Sequence, residues 1–181
     1  MININPVLVS LKFDIPPFLY WGLLIVLCVG SISLICIKGK KAGRAIWELL
    51  LIEYTFFIIY TTLILRTVRK ARNWEFTPFW SYERPDLQLE IFINVMAFIP
   101  IGFLLGCSFR TIRWWKTLLI CGGLSASIEI LQFLTRRGFA ELDDLIHNTL
   151  GGMIGYIVFL LGRYGYEKFT KKYKEHCSSS C

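Results

Sequence analysis

Three stretches of the chain repeat polar residues at helical spacing, and they hold the side chains best suited to chemistry. Gly122, Ser125, Glu129 and Gln132 follow one another at three, four and three positions, which puts them on one stripe of a helix. Asp144, Asn148, Gly151 and Gly155 recur at four, three and four, and Glu90, Asn94 and Ala97 at four and three. Amides and carboxylates on such stripes can orient a ligand, and a carboxylate whose pKa is raised by burial can act as a general base. Glu129 and Asp144 are the candidates for that catalytic role. No nucleophile and base pair or metal triad stands beside them to specify a hydrolase or transferase.

The elements that carry these stripes are long and apolar. With 55% hydrophobic residues, 14 Phe and a mean hydropathy of +0.53, the 181-residue chain is too greasy for a soluble domain. Crossing the hydrocarbon takes roughly 20 mostly apolar residues, and five runs approach or reach that length. They extend from Phe18 to Ile37, Ala45 to Leu65, Leu89 to Cys107, Thr117 to Leu134 and Leu145 to Gly162. The first lacks a small-x-small cleavage pattern and is read as a retained span, not a signal peptide. The expected fold is therefore all-α: one membrane domain over residues 1–181, a polytopic bundle of about five transmembrane helices with no internal repeat.

An ionisable residue inside a span costs about 2.5 to 3.5 kcal/mol on insertion scales, so each needs a partner or a task. Glu129 lies five residues before Leu134, about 7 to 8 Å inside the end of its span. Asn148 is expected at nearly the same depth, with Asn94 close by and Arg137 within reach. Pro100 removes a backbone donor and should kink its helix just below Asn94 unless neighbouring helices restrain it, and such a kink could open a pocket. The alternative is that Asn94, Glu129, Gln132 and Asn148 are interhelical glue, worth about 0.6 kcal/mol per hydrogen bond. A carboxylate argues against glue alone, because neutral amides would serve at lower desolvation cost. Glu48 can snorkel to the interface, whereas Glu53 sits deeper and needs a partner. His147, four residues after Asp143, reads as a polar interfacial residue at a helix start.

Charge gives the topology. With the N-terminus outside, twelve Lys and Arg fall on the inner side and eight on the outer, which favours N-out and C-in. The outer face then carries Glu75, Glu83, Asp86, Glu90, Glu141, Asp143 and Asp144. It also carries the aromatic loop from Asn73 to Tyr82, expected in the membrane surface. The net charge of +7 is distributed as lipid anchors with no stacking platform, so membrane lipids and not nucleic acid are the expected partners. Cys28, Cys36, Cys107 and Cys121 are packing residues within spans. His176, Cys177 and Cys181 supply three ligands on a loose tail where a closed site needs four, so neither metal nor cofactor is expected.

The strings Asn94-Val-Met-Ala-Phe-Ile-Pro-Ile-Gly-Phe103, Ile128-Glu-Ile-Leu-Gln-Phe133 and Asp143-Asp-Leu-Ile-His-Asn-Thr-Leu-Gly-Gly152 resemble the three core blocks of the VanZ-like family, over roughly Arg66 to Tyr156. The resemblance implies a bacterial membrane protein related to one that gives low-level resistance to the glycopeptide teicoplanin. It also places the family's signature on Arg66, Pro78, Phe79, Asn94, Pro100, Gly102, Glu129, Gln132, Arg137, Asp144, Asn148 and Gly151. Glu75 stands where the family commonly has Asn, and His147 where it is usually apolar. Three functions remain open. An outward pocket of Arg66, Asn94, Glu129, Gln132, Arg137, Asp143, Asp144 and Asn148 binds an anionic lipid, a cell-wall precursor or a glycopeptide, with the arginines as phosphate forks. Otherwise Glu129 or Asp144 catalyses hydrolysis or group transfer, or the buried carboxylates relay ions in a small carrier or channel.

Overall fold

The structure is a computed structural model that describes residues 40–70 and 74–179. Its helices are α1 (Lys40–Ile59), α2 (Gln88–Ser108), α3 (Trp114–Thr135) and α4 (Leu142–Ser179). Among the described residues four segments are long and apolar enough to cross a membrane: Gly43–Ile64, Pro85–Ser108, Trp114–Thr135 and Leu142–Tyr173. They contain the second to fifth runs, apart from Leu65 at the end of the second. The run from Phe18 to Ile37, with Cys28 and Cys36, lies outside the described residues. Large apolar side chains such as Ile52, Phe56, Phe92, Leu119, Ile130 and Leu161 stand on the outside, as a lipid-facing surface requires.

The last helix does not stop near Gly162. It runs on to Ser179 with no proline to end it, and Arg163 Nε and Glu167 Oε1 brace the extension at 2.8 Å, one turn apart. The terminus expected to hang loose is thus helical through Cys177.

Glycines decide how the bundle packs. A methyl on Gly102 would overlap the carbonyl of Gly152, one on Gly151 that of Val95, and one on Gly155 that of Ile99. Backbone meets backbone between α2 and α4, the small-residue packing that spacing in the fifth run implies. Phe98, Ile101 and Leu105 of α2 then bury against Cys121 and Ile128 of α3 and Ile58 of α1. Nor does Pro100 break its helix, since α2 is continuous from Gln88 to Ser108. Tyr54 Oη donates to Ala97 O at 3.0 Å, beside the carbonyl that proline deprives of its donor. Two cavities lie at the far end of α2.

Where α1 ends, its backbone widens into a π turn, Tyr60–Ile64. Thr61 and Thr62 back-bond to the preceding carbonyls, a competition with the helix ladder that accompanies its change of pitch. The chain then passes to a two-residue strand β1 (Trp74–Glu75), parallel to β2 (Ala140–Glu141), with Trp74 opposite Ala140 and Glu75 opposite Glu141. A short 3-10 turn, Trp80–Glu83, precedes α2. These loops cap the end of the bundle where the three polar stripes finish.

Candidate functional site

Asp143 is the anchor of the cap. It is wholly buried at the first turn of α4, where its Oδ1 accepts from Phe79 N at 2.6 Å, and Oδ2 from Ser81 N at 3.0 Å and from Ser81 Oγ. Three donors to one carboxylate fasten the 76–84 loop to the bundle, each bond to the charge worth about 1.5 to 3 kcal/mol. Phe79 is held at φ 62, a left-handed conformation unusual for an aromatic residue. Tyr82 Oη lies 3.0 Å from His147 Nε2, so His147 is a buried contact under the loop and not the interfacial residue its position suggests. Trp74 packs on Phe133, while Phe76, Phe79 and Tyr82 stay exposed at the rim. Glu75 turns onto its own loop, accepting from Thr77 N and Oγ1, and these bonds hold its pKa below the usual value.

Other polar residues are also committed. Arg137 Nη1 donates to Ile64 O at 2.6 Å and to Leu63 O at 3.4 Å, taking up carbonyls at the π turn. It does not bond the Glu129 carboxylate. Asn148 Nδ2 donates to Ser125 Oγ at 2.9 Å, four residues before Glu129 and so about 6 Å deeper by helical rise. The expected level pairing of Asn148 with Glu129 is therefore offset by one turn, because the glycine contacts fix how far α4 slides along its neighbours.

What remains forms a polar cluster. Asn94 Nδ2 donates to Asp144 Oδ1 at 2.6 Å, bridging α2 and α4. Glu129 Oε2 accepts from Glu141 N at 3.0 Å, tying α3 to the entry of α4. Asp144, Arg66 and Glu141 all lie within electrostatic range of Glu129, and Glu90 joins Asp144 from the start of α2. Burial, then the charges of Asp144, Glu90 and Asp143, push Glu141 up to about 7, with Arg66 acting the other way. Three carboxylates, Glu129, Glu141 and Asp144, thus lie within electrostatic range of one guanidinium, and Glu90 adds its charge near Glu141 and Asp144.

Gln132 supplies a further acceptor. It is 1% exposed, and its Nε2 donates to Thr62 O at 3.2 Å, which fixes the amide orientation and leaves Oε1 without a partner among the described residues. A Cβ on Gly138 would stand 2.9 Å from Arg66 Nη1 and 3.2 Å from Gln132 Oε1, so both atoms border the space where that side chain is missing. Gly138 has φ +125, so a side chain there would be strained as well as crowded.

Of the eight residues that sequence places in the site, Arg66, Asn94, Glu129, Gln132 and Asp144 converge. Asp143, Arg137 and Asn148 hold structure beside them. Glu141 and Glu90 went unselected as site residues, and so did Ser81 and Tyr82. Glu90 was visible on the stripe of Asn94, whereas Glu141 sits in a strand that no periodicity marks. Among the described residues no group of His, Cys, Asp and Glu is arranged to hold a metal ion.

A family model described as VanZ/LLP1 matches residues 21–163. Protein VanZ of Enterococcus faecium is 30% identical over 121 residues, which is 65% of this chain and 73% of that protein. No solved structure matches. The matched region takes in all three polar stripes, the loop held by Asp143 and the apolar helices of a membrane protein, and on that basis the chain belongs to the VanZ/LLP1 family.

Proposed function

We propose that this VanZ-like protein binds a cell-envelope ligand in its polar cap, on the outer face of the bacterial membrane, and so contributes to glycopeptide resistance of the teicoplanin type. One observation carries the reading: Arg66 stands among Glu129, Glu141 and Asp144 next to an unfilled Gln132 acceptor. A bare phosphate fits that surrounding poorly, since one guanidinium faces several carboxylates. The complement is a ligand with one acidic group for Arg66 and amine or hydroxyl donors for the acceptors, chemistry present in cell-wall peptides and in glycopeptides. The orientation is N-out and C-in, supported by the charge split between the two ends.

A second reading, an integral-membrane hydrolase or transferase, draws support from Glu141. Its pKa near 7 suits a general base at neutral pH, beside Glu129 and Asp144 as further catalytic candidates.

The test compares membrane abundance with teicoplanin susceptibility in a sensitive host. Glu129→Gln keeps an acceptor for Glu141 N and removes only the charge; it should accumulate normally and lose the phenotype. Asp144→Asn should behave alike. Asp143→Asn instead turns an NH2 toward backbone donors and should lower abundance itself. A fully active Glu129→Gln protein would sink the functional assignment of this carboxylate.

A further inference from the structure

At the other end of the bundle a cavity of about 810 Å3 is lined by Gly43, Arg44, Trp47, Ser108, Arg110 and Phe159, among others. A second cavity of about 460 Å3 shares Cys107, Arg110, Thr111 and Phe159 with it and reaches Arg163 and Tyr166. Both lie where three spans end, at Gly43, Ser108 and Trp114, so their depth is that of lipid headgroups. The larger is within the size range of small-ligand pockets.

We infer that this paired cavity, framed by Arg44, Arg110 and Arg163 over aromatic walls, holds the phosphate headgroup of an anionic membrane phospholipid. Charge complementarity argues it. Arg110 has no ion-pair partner among the described residues, Arg44 meets a single carboxylate one turn away, Glu48, and Arg163 meets Glu167 one turn away while its Nη1 donates to Arg110 O at 2.8 Å. Ser108, 1% exposed, is among the lining residues, and its enclosed hydroxyl has no partner among the described residues. Trp47, Phe103, Phe109 and Phe159 give the apolar surface that acyl chains need, and Arg44 already lies over Phe109 at 5.8 Å. Guanidinium groups grip phosphate with paired donors, and the low dielectric at a membrane surface strengthens that grip. This end of the molecule is far along the helices from the carboxylate cap, so the inference stands or falls independently of the cap's ligand.

The full chain, purified in mild detergent, is titrated with phosphatidylglycerol and, separately, phosphatidylcholine, and bound lipid is counted by native mass spectrometry. Phosphatidylglycerol should be retained in preference. A joint Arg44→Gln and Arg110→Gln change should weaken it by about tenfold. Arg113→Gln, a nearby charge that does not line either cavity, should leave retention within about twofold, a change of under half a kcal/mol. Gly43→Trp, at a position where none of the described residues comes within 4 Å of a new Cβ, should fill the space and exclude lipid with every charge intact. Equal retention of both lipids, an Arg113→Gln loss as large as the double change, or displacement by inorganic phosphate alone overturns the inference. Undiminished binding to Gly43→Trp does so as well.

Discussion

Glu141 takes its raised pKa from burial first and from Asp144, Glu90 and Asp143 after it, so the folded cap prefers this group neutral. Its ordinary value is 4.5 and its value in the fold about 7, and between the two the folded chain holds a proton that the unfolded chain has released. Stability falls with rising pH wherever the native state binds more protons. The contribution from Glu141 is therefore greatest below the ordinary value, declines through the window between the two, and is lowest above it. Glu141→Gln removes the titration. Melting of the detergent-solubilised protein should show the variant gaining on the parent as pH rises from about 4.5 to 7 and holding that gain above, a window set by linkage. An unchanged difference across that window would mean that neither burial nor the neighbouring carboxylates raise the Glu141 pKa.

At the scale of elements, the contact between α2 and α4 makes a sharp prediction. A methyl on Gly155 would overlap Ile99 O, and backbone cannot swing aside as a long side chain can. Overpacking of this kind costs about 1 to 3 kcal/mol, and here it would also disturb the Asn94 to Asp144 bridge. Gly123→Ala, with none of the described residues within 4 Å, should instead gain up to about 1 kcal/mol in helix propensity. Thermal melts of Gly155→Ala and Gly123→Ala should move in opposite directions; a neutral Gly155→Ala would show that the helices are less closely packed. The glycine face was legible in sequence because its spacing is a property of one helix, and so were the stripes of Glu129 and Asn94. Axial offset was not legible. Whether Asn148 meets Glu129 or Ser125 depends on how two helices slide, which backbone contacts decide. Asp143 fastening Ser81, 62 residues away, was equally hidden, as was the π turn that gives Arg137 its carbonyls. The C-terminus of α3 shows the limit of local signals. Arg136, at φ 58, fills a left-handed cap position that glycine usually takes, with Arg137 N bonded to Gln132 O at 3.0 Å. Glycine itself comes two residues later, at Gly138, beside Arg66.

For the whole molecule, structural contacts take up some cations at each end, Arg44 and Arg163 among them at the end away from the cap. At the cap, Arg137 is held by backbone carbonyls, Arg66 lies among carboxylates, and Arg84 is paired with Asp86 at 3.0 Å. These residues count toward the outer total by sequence, yet structural contacts account for their positions. At the other end Arg110, Arg113 and Lys116 have no ion-pair partner among the described residues, and α4 extends beyond the apolar stretch with Lys168, Lys171 and Lys172. The positive-inside rule weighs Lys and Arg near the span ends whether or not they are paired, so the proposed orientation rests on the count of twelve against eight. A reporter active only in the cytoplasm, fused after Cys181, should be active, and one that requires export should be silent there. The reverse pattern would turn the carboxylate cap toward the cytoplasm. An extracellular glycopeptide could not reach it, and the proposed route to resistance would fail with the topology. Reversing Arg110, Arg113 and Lys116 to Glu should weaken the orientation and lower the cytoplasmic signal, whereas Arg66→Gln should not lower it, because it removes a cation from the outer side.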